Sequence, residues 1–179
     1  MKPRLKNKSG FSLIEMMVVV ALIGLMAAIA VPSFRGLIQK GRLKAAGREI
    51  TMDLLLERAT AISSGSPQTF VFNVGTGSWA VPGLGTPMTF TKRGYFGIAF
   101  YHDGADPIQF MDNLGTTAVD TVTFNPDGTL DNNLTSYTNT PGVGKIYLID
   151  TKGNINKMTI EVSQYTGLAK LVDGWTIMP

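Results

Sequence analysis

Apolar residues are unevenly spread along the chain. From Phe11 to Val31, 21 residues, only Glu15 carries a charge, and no later stretch is comparably apolar. At a rise of about 1.5 Å per residue such a run spans a hydrocarbon core of about 30 Å, which predicts a membrane-spanning helix. Beyond Pro32 the apolar positions thin out to a helical period. Ile38, Ala45, Met52, Leu55, Ala59 and Ile62 follow at spacings of 7, 7, 3, 4 and 3, one face of an amphipathic stem over Ser33–Ser64. Arg42, Arg48, Glu49, Asp53 and Glu57 fall on other faces, and Ser64-Gly65-Ser66-Pro67 closes the helix. Gly36, Gly41 and Gly47 weaken the first half of the stem, where close packing or flexibility is the expected use.

After Pro67 the pattern changes again, to short runs rich in Val, Ile, Phe and Thr broken by turn residues. Strands are predicted at Gln68–Val74, Ser78–Val81, Phe96–Tyr101, Ile108–Met111, Thr121–Asn125, Lys145–Asp150, Asn154–Ser163 and Leu168–Val172. The separating turns are Gly75-Thr76-Gly77, Asp103-Gly104, Pro126-Asp127-Gly128, Lys152-Gly153-Asn154 and Thr166-Gly167. Lys145–Asp150 and Asn154–Ser163 should pair as a hairpin. Met158, Ile160 and Val162 alternate with Thr159, Glu161 and Ser163, so that strand is expected to keep one wet face. The fold class is α+β: a long N-terminal helix, half membrane and half amphipathic, packed on a C-terminal antiparallel β-sheet or small β-sandwich.

Charge sharpens the reading of the N-terminus. Lys2, Arg4, Lys6 and Lys8 precede the apolar run with no acid among them, the arrangement of export and positive-inside insertion. A cleaved signal peptide is the competing reading, with Ala28-Ile29-Ala30 as its cleavage box. Against it stand the length of the run, the acid near its start and the helical pattern that continues past Pro32. Glu15 is costly in a membrane unless paired or protonated. Ser12-Leu13-Ile14-Glu15 also matches the capping box S-x-x-E, which starts a helix without any further role.

The net charge of +3 and pI near 9.2 do not mark a polyanion-binding surface. Without the four leader cations, 12 basic residues face 13 acidic ones, and from Lys92 onward 6 face 9. There are no cysteines, so neither a disulfide framework nor a thiolate metal site exists.

Lys8-Ser9-Gly10-Phe11-Ser12-Leu13-Ile14-Glu15-Met16-Met17 resembles the N-terminal signature of type IV pilins and type II secretion pseudopilins. The resemblance implies a basic leader, residues 1–10, removed by prepilin peptidase between Gly10 and Phe11, and N-methylation of Phe11. It assigns Glu15 to subunit assembly, neutralising the α-amine of a neighbouring subunit's Phe11. Gly24 and Pro32 match two helix-weakening positions, and a static kink or local melting at Pro32 are both open. The implied layout is a transmembrane and filament-core helix over 11–32, a stem over 33–64 and a β-rich domain over 65–179.

Val122–Gly128, Ile146-Tyr147-Leu148 and Val162–Lys170 resemble the GspH/FimT minor pilins, while residues 75–119 match no family pattern. The implied partners are other pilins or pseudopilins, prepilin peptidase, an inner-membrane assembly platform and, before assembly, membrane lipid. The implied place is the bacterial inner membrane, with the N-terminus cytoplasmic and the globular domain periplasmic, and afterwards a pilus or pseudopilus. The same resemblance implies a minor type IV pilin, toward which Ala30-Val31-Pro32 leans, with a type II secretion minor pseudopilin as the alternative.

No enzyme, cofactor or metal is expected. Gly75-Thr76-Gly77-Ser78-Trp79-Ala80 fits G-x-G-x-x-A, but Val81-Pro82-Gly83-Leu84-Gly85 cannot supply the helix that a dinucleotide site requires, and a hairpin turn is the reading. His102-Asp103 has no nucleophile at a matching spacing. Asp127, Asp131, Asn132 and Asn133 lack EF-hand spacing and read as a solvated loop. Nucleic acid is not expected as a partner: Lys170 is the last basic residue, and phosphate binding needs several cations together.

Overall fold

The computed structural model describes residues 10–80, 86–101, 108–109, 120–131, 142–152 and 156–174; the side chains of residues 30–33 and 108–109 lie outside the description. The chain divides into two compact units, Met1–Ile38 and Gln39–Pro179. The helix α1 (Leu13–Ser64) contributes residues to both.

In the first unit the helix is apolar all round over residues 16–29. Phe11 is 80% exposed and Ile29 75%, and every large apolar side chain described between them is exposed too. A helix without a polar face is matched to lipid or to protein surroundings, not to water. Gly24 lies inside α1, with open space where a Cβ would stand. Among the described residues no single helix is long and apolar enough to cross a membrane; Leu13–Ile29 and Phe34–Ser64 meet that requirement together.

The second unit packs the rest of α1 with two antiparallel sheets. The first has the order β3-β2-β1-β6, made of β1 (Gln68–Asn73), β2 (Ser78–Ala80), β3 (Met88–Thr89) and β6 (Thr121–Phe124). The second has the order β4-β7-β8-β9, made of β4 (Ile98–Phe100), β7 (Val143–Asp150), β8 (Lys157–Ser163) and β9 (Ala169–Asp173), with β5 (Ile108–Gln109) also on β7. The predicted hairpin forms, with Leu148 opposite Met158 and Ile146 opposite Ile160. Gly75-Thr76-Gly77 is a turn between β1 and β2: Asn73 Oδ1 accepts from Thr76 N at 3.0 Å, and Gly77 takes φ +59°.

A row of rings joins the two sheets. Phe72 on β1 meets Phe100 on β4 edge-on at 5.6 Å, and Phe100 meets Phe90 at 5.0 Å, which in turn meets Trp79 at 5.1 Å. Edge and offset geometries of this kind add to the area such rings bury.

Two expectations are corrected. The stem buries Leu43, Ala46, Ile50, Leu54, Glu57 and Ala61, whereas Ile38, Met52 and Ile62 from the expected face are exposed. Small residues decide the outcome. Gly47 lets β9 come so close that a Cβ there would sit 2.6 Å from Leu171 Cδ1 and 3.5 Å from Leu148 Cδ1. No such space restriction exists at Gly36 or Gly41.

The second correction concerns β8. Its expected wet face holds Thr159, which is fully buried, and its cross-strand partner Tyr147 is 1% exposed. Thr159 Oγ1 satisfies itself by donating to Gly174 O at 3.0 Å, so burial there leaves no orphan hydroxyl.

Candidate functional site

Ser12 stands immediately before the first residue of α1, with Glu15 three positions on. Ser12 N donates to Glu15 Oε2 at 2.8 Å, and Glu15 N donates to Ser12 Oγ at 3.2 Å. These reciprocal bonds satisfy two of the amides that a helix N-terminus leaves free. Gly10 and Phe11 lie just outside the helix and are exposed. Phe11, Ile14, Glu15, Val18 and Val19 line one shallow groove, so the single carboxylate of this segment sits among apolar neighbours.

A second constellation ties the stem to the C-terminal half. Arg58 Nε donates to Gly128 O at 3.0 Å and to Thr166 O at 2.8 Å. Both acceptors belong to turns whose glycines adopt positive φ, +83° at Gly128 and +63° at Gly167. A Cβ on Gly128 would lie 2.9 Å from Arg58 Nη2, and one on Gly167 would run into Gly128 O. Only glycine fits either place, because the space is taken and the backbone is left-handed. Leu130 N donates to Gln164 O at 2.9 Å beside this junction, linking the segment after β6 to the end of β8. Nothing in the local pattern around Arg58 singles it out; the two turns were recognisable, but not that one arginine serves both.

The third cluster fixes the stem against β2 and the segment after β3. Trp79 Nε1 donates to Asp53 Oδ2 at 2.8 Å, and Tyr95 OH donates to Glu49 Oε2 at 2.7 Å. Arg93 Nε stands 2.8 Å from Glu49 Oε1 as an ion pair off the line of a hydrogen bond. Burial and the bond to Glu49 push the Tyr95 phenol up to about 12. Glu49, Asp53 and Glu57 follow at four-residue steps along one side of the helix. Burial raises the carboxyls of Asp53 and Glu57 above their ordinary values, with repulsion from Glu49 and Asp53 respectively adding to it. Glu57 Oε2 is buried without a hydrogen-bond partner.

Among the described residues no group of three or more His, Cys, Asp or Glu could hold a metal ion. Asp127 spends its carboxylate on Thr129, accepting from N at 2.9 Å and Oγ1 at 2.6 Å, and these bonds lower its pKa. Asn132, Asn133, His102 and Asp103 lie outside the described residues. Lys170 pairs with Glu161 at 3.0 Å.

Residues 5–31 match the prokaryotic N-terminal methylation motif. Over 74 residues the chain is 39% identical to the type II secretion system protein H of Xanthomonas campestris pv. campestris, covering 41% of this chain and 44% of that one. It is 33% identical over 77 residues to a fimbrial protein of Pseudomonas aeruginosa, covering 40% and 50%. It is 36% identical over 74 residues to the type IV major alpha-pilin of Moraxella bovis, covering 38% and 46%. The chain thus spans about half the length of these relatives, and no solved structure matches it. With its methylation motif, its capped apolar helix and its antiparallel sheets, the chain is similar to type IV pilins and type II secretion pseudopilins.

Proposed function

We propose that this protein is a minor type IV pilin, held in the inner membrane by its N-terminal helix until it enters a pilus or the complex that initiates one. Prepilin peptidase removes residues 1–10 by cutting between Gly10 and Phe11, and the new N-terminus is methylated. Residues 11–32 cross the membrane with the N-terminus cytoplasmic, residues 33–64 form the stem, and residues 65–179 form the periplasmic β-rich domain. During assembly the carboxylate of Glu15 meets the α-amine of a neighbour's Phe11. An amine and a carboxylate in one low-dielectric layer attract strongly and stay charged only as a pair. Gly24 and Pro32 lower the cost of unwinding the helix between them as it leaves the lipid.

The observation that carries this reading is a helix exposed and apolar on every side, opened by the Ser12–Glu15 box and attached to a domain with a core of its own. The intact mass of the protein recovered from its native membrane tests it. Loss of the first ten residues with one methyl group added is the expected result, and a soluble product beginning at Val31 defeats it.

The alternative is a minor pseudopilin of a type II secretion filament, which the similarity to the Xanthomonas secretion protein supports. Deleting the gene separates the two: loss of surface pili supports the first reading, and retention of secreted enzymes in the periplasm supports the second.

A further inference from the structure

We propose that the first half of the stem is a docking surface for anionic phospholipid headgroups, which holds the waiting subunit to the bilayer. This rests on the membrane-anchored reading given above. From Ser33 to Arg48 the chain carries five cations, Arg35, Lys40, Arg42, Lys44 and Arg48, and no acid. Lys40, Lys44 and Arg48 follow at four-residue steps, which puts them on one side of the helix, and all three are exposed. Among the described residues Arg42, Lys44 and Arg48 have no acidic partner; Lys40 reaches Asp173 at 3.8 Å, with both side chains more than half exposed. A loose surface pair of that kind does little to neutralise Lys40.

The position of the cluster selects its partner. Exposed apolar side chains continue past the main run through Phe34, Leu37 and Ile38. Along its contour α1 from Leu13 to Ile38 is about 39 Å long, close to the thickness of a bilayer of about 40–45 Å with its headgroups. Lys40 is therefore the first cation beyond the greasy surface. Helical side chains lean toward the N-terminus, so Lys44 can reach back toward the bilayer, and Lys40 can do so on leaving its loose pair with Asp173. Anionic headgroups in the leaflet that faces the globular domain attract cations placed there, over a distance that physiological salt limits to about 8 Å.

The test uses the full chain in nanodiscs of phosphatidylcholine alone or with phosphatidylglycerol. A membrane-impermeant acylating reagent labels exposed lysines, and peptide mass spectrometry reads Lys40 and Lys44 relative to the exposed Lys92 and Lys152. Labelling of Lys40 and Lys44 is expected to fall about fivefold in anionic discs and to recover in about 1 M salt. Inorganic phosphate added to phosphatidylcholine discs should leave it unchanged. Equal labelling in the two lipids overturns the proposal. So does protection by phosphate alone, which means a site for free anions, and so does protection that spreads equally to Lys92, which means the whole domain lies on the surface. A chain that never enters the discs defeats the membrane reading itself, a separate and visible outcome.

Discussion

Arg58 donates its Nε–H to the carbonyl oxygen of Thr166 at 2.8 Å, across 108 positions of the chain. The same hydrogen is shared with Gly128 O, 70 positions away, so one guanidinium joins the stem to two turns at once. Arg58→Ala removes a charged donor from both acceptors and is expected to cost about 2 kcal/mol of stability. Arg58→Lys keeps the charge but not the planar N–H, and most of the loss should remain. Denaturant midpoints of the full chain in detergent check both variants; a lysine variant as stable as the wild type removes the directional role.

Gly167→Ala tests the same junction from the other side. At φ +63° an alanine is strained by about 1–2 kcal/mol before any contact is counted, and its Cβ would run into Gly128 O and Arg58. The combined loss should exceed that of Arg58→Ala. Combined with Arg58→Ala, the glycine change should cost less than it does alone, because the two share partners.

Glu57 predicts a pH dependence whose sign is opposite to that of an ordinary ion pair. Its carboxyl and that of Asp53 sit above their unfolded values, chiefly through burial. Between the ordinary and the raised value the folded chain binds more protons than the unfolded one, so stability falls as pH rises through that window. Glu57→Met replaces a buried, partnerless oxygen with an apolar group of similar size. It should stabilise by about 1 kcal/mol at neutral pH, have little effect at acid pH and flatten the slope. Unfolding midpoints across the acid range read this directly, and an unchanged slope would mean that Glu57 does not titrate as the burial requires.

Much of this architecture is written in local patterns. The runs from Gln68, of Phe96–Tyr101 and of Lys145–Asp150 are stretches rich in β-branched and aromatic residues bounded by turns, and strands form there at Gln68–Asn73, Ile98–Phe100 and Val143–Asp150. β3 was missed because Met88–Thr89 is too short to show alternation. The Ser12–Glu15 box is legible because its partners are three residues apart. The buried face of the stem is not legible, because α1 carries apolar residues on two sides. Periodicity reports both sides, and the buried one is the side on which Gly47 lets Leu171 approach closely. Arg58 escapes for a related reason: its acceptors are backbone carbonyls, which every residue type carries.

That choice of face can be tested by contrasting two glycines of the stem. At Gly41 there is open space, so Gly41→Ala should stabilise by up to about 1 kcal/mol through helix propensity alone. At Gly47 the gain in propensity is opposed by contact with Leu171 and Leu148, and Gly47→Val should destabilise by about 1–3 kcal/mol. Thermal unfolding followed by circular dichroism distinguishes them; equal effects at the two sites would refute the packing assigned to Gly47.

The two roles open to Glu15 separate because capping and charge pairing ask for different chemistry. Capping needs an oxygen three residues after Ser12, which a glutamine also provides. Pairing with an amine in a low-dielectric layer needs a full negative charge. Glu15→Gln should therefore keep the helix start and insert into membranes at least as well as the wild type, since a costly charge is gone. Its entry into filaments should fall at least tenfold if the charge is what a neighbouring subunit recognises, a difference of about 1.4 kcal/mol or more. Ser12→Ala does the reverse, weakening the cap by about 1 kcal/mol while leaving the carboxylate in place, and should enter filaments nearly normally. The amount of each variant in sheared filaments relative to membranes is the measurement. Normal entry of Glu15→Gln together with loss of Ser12→Ala would assign the pair to helix initiation alone.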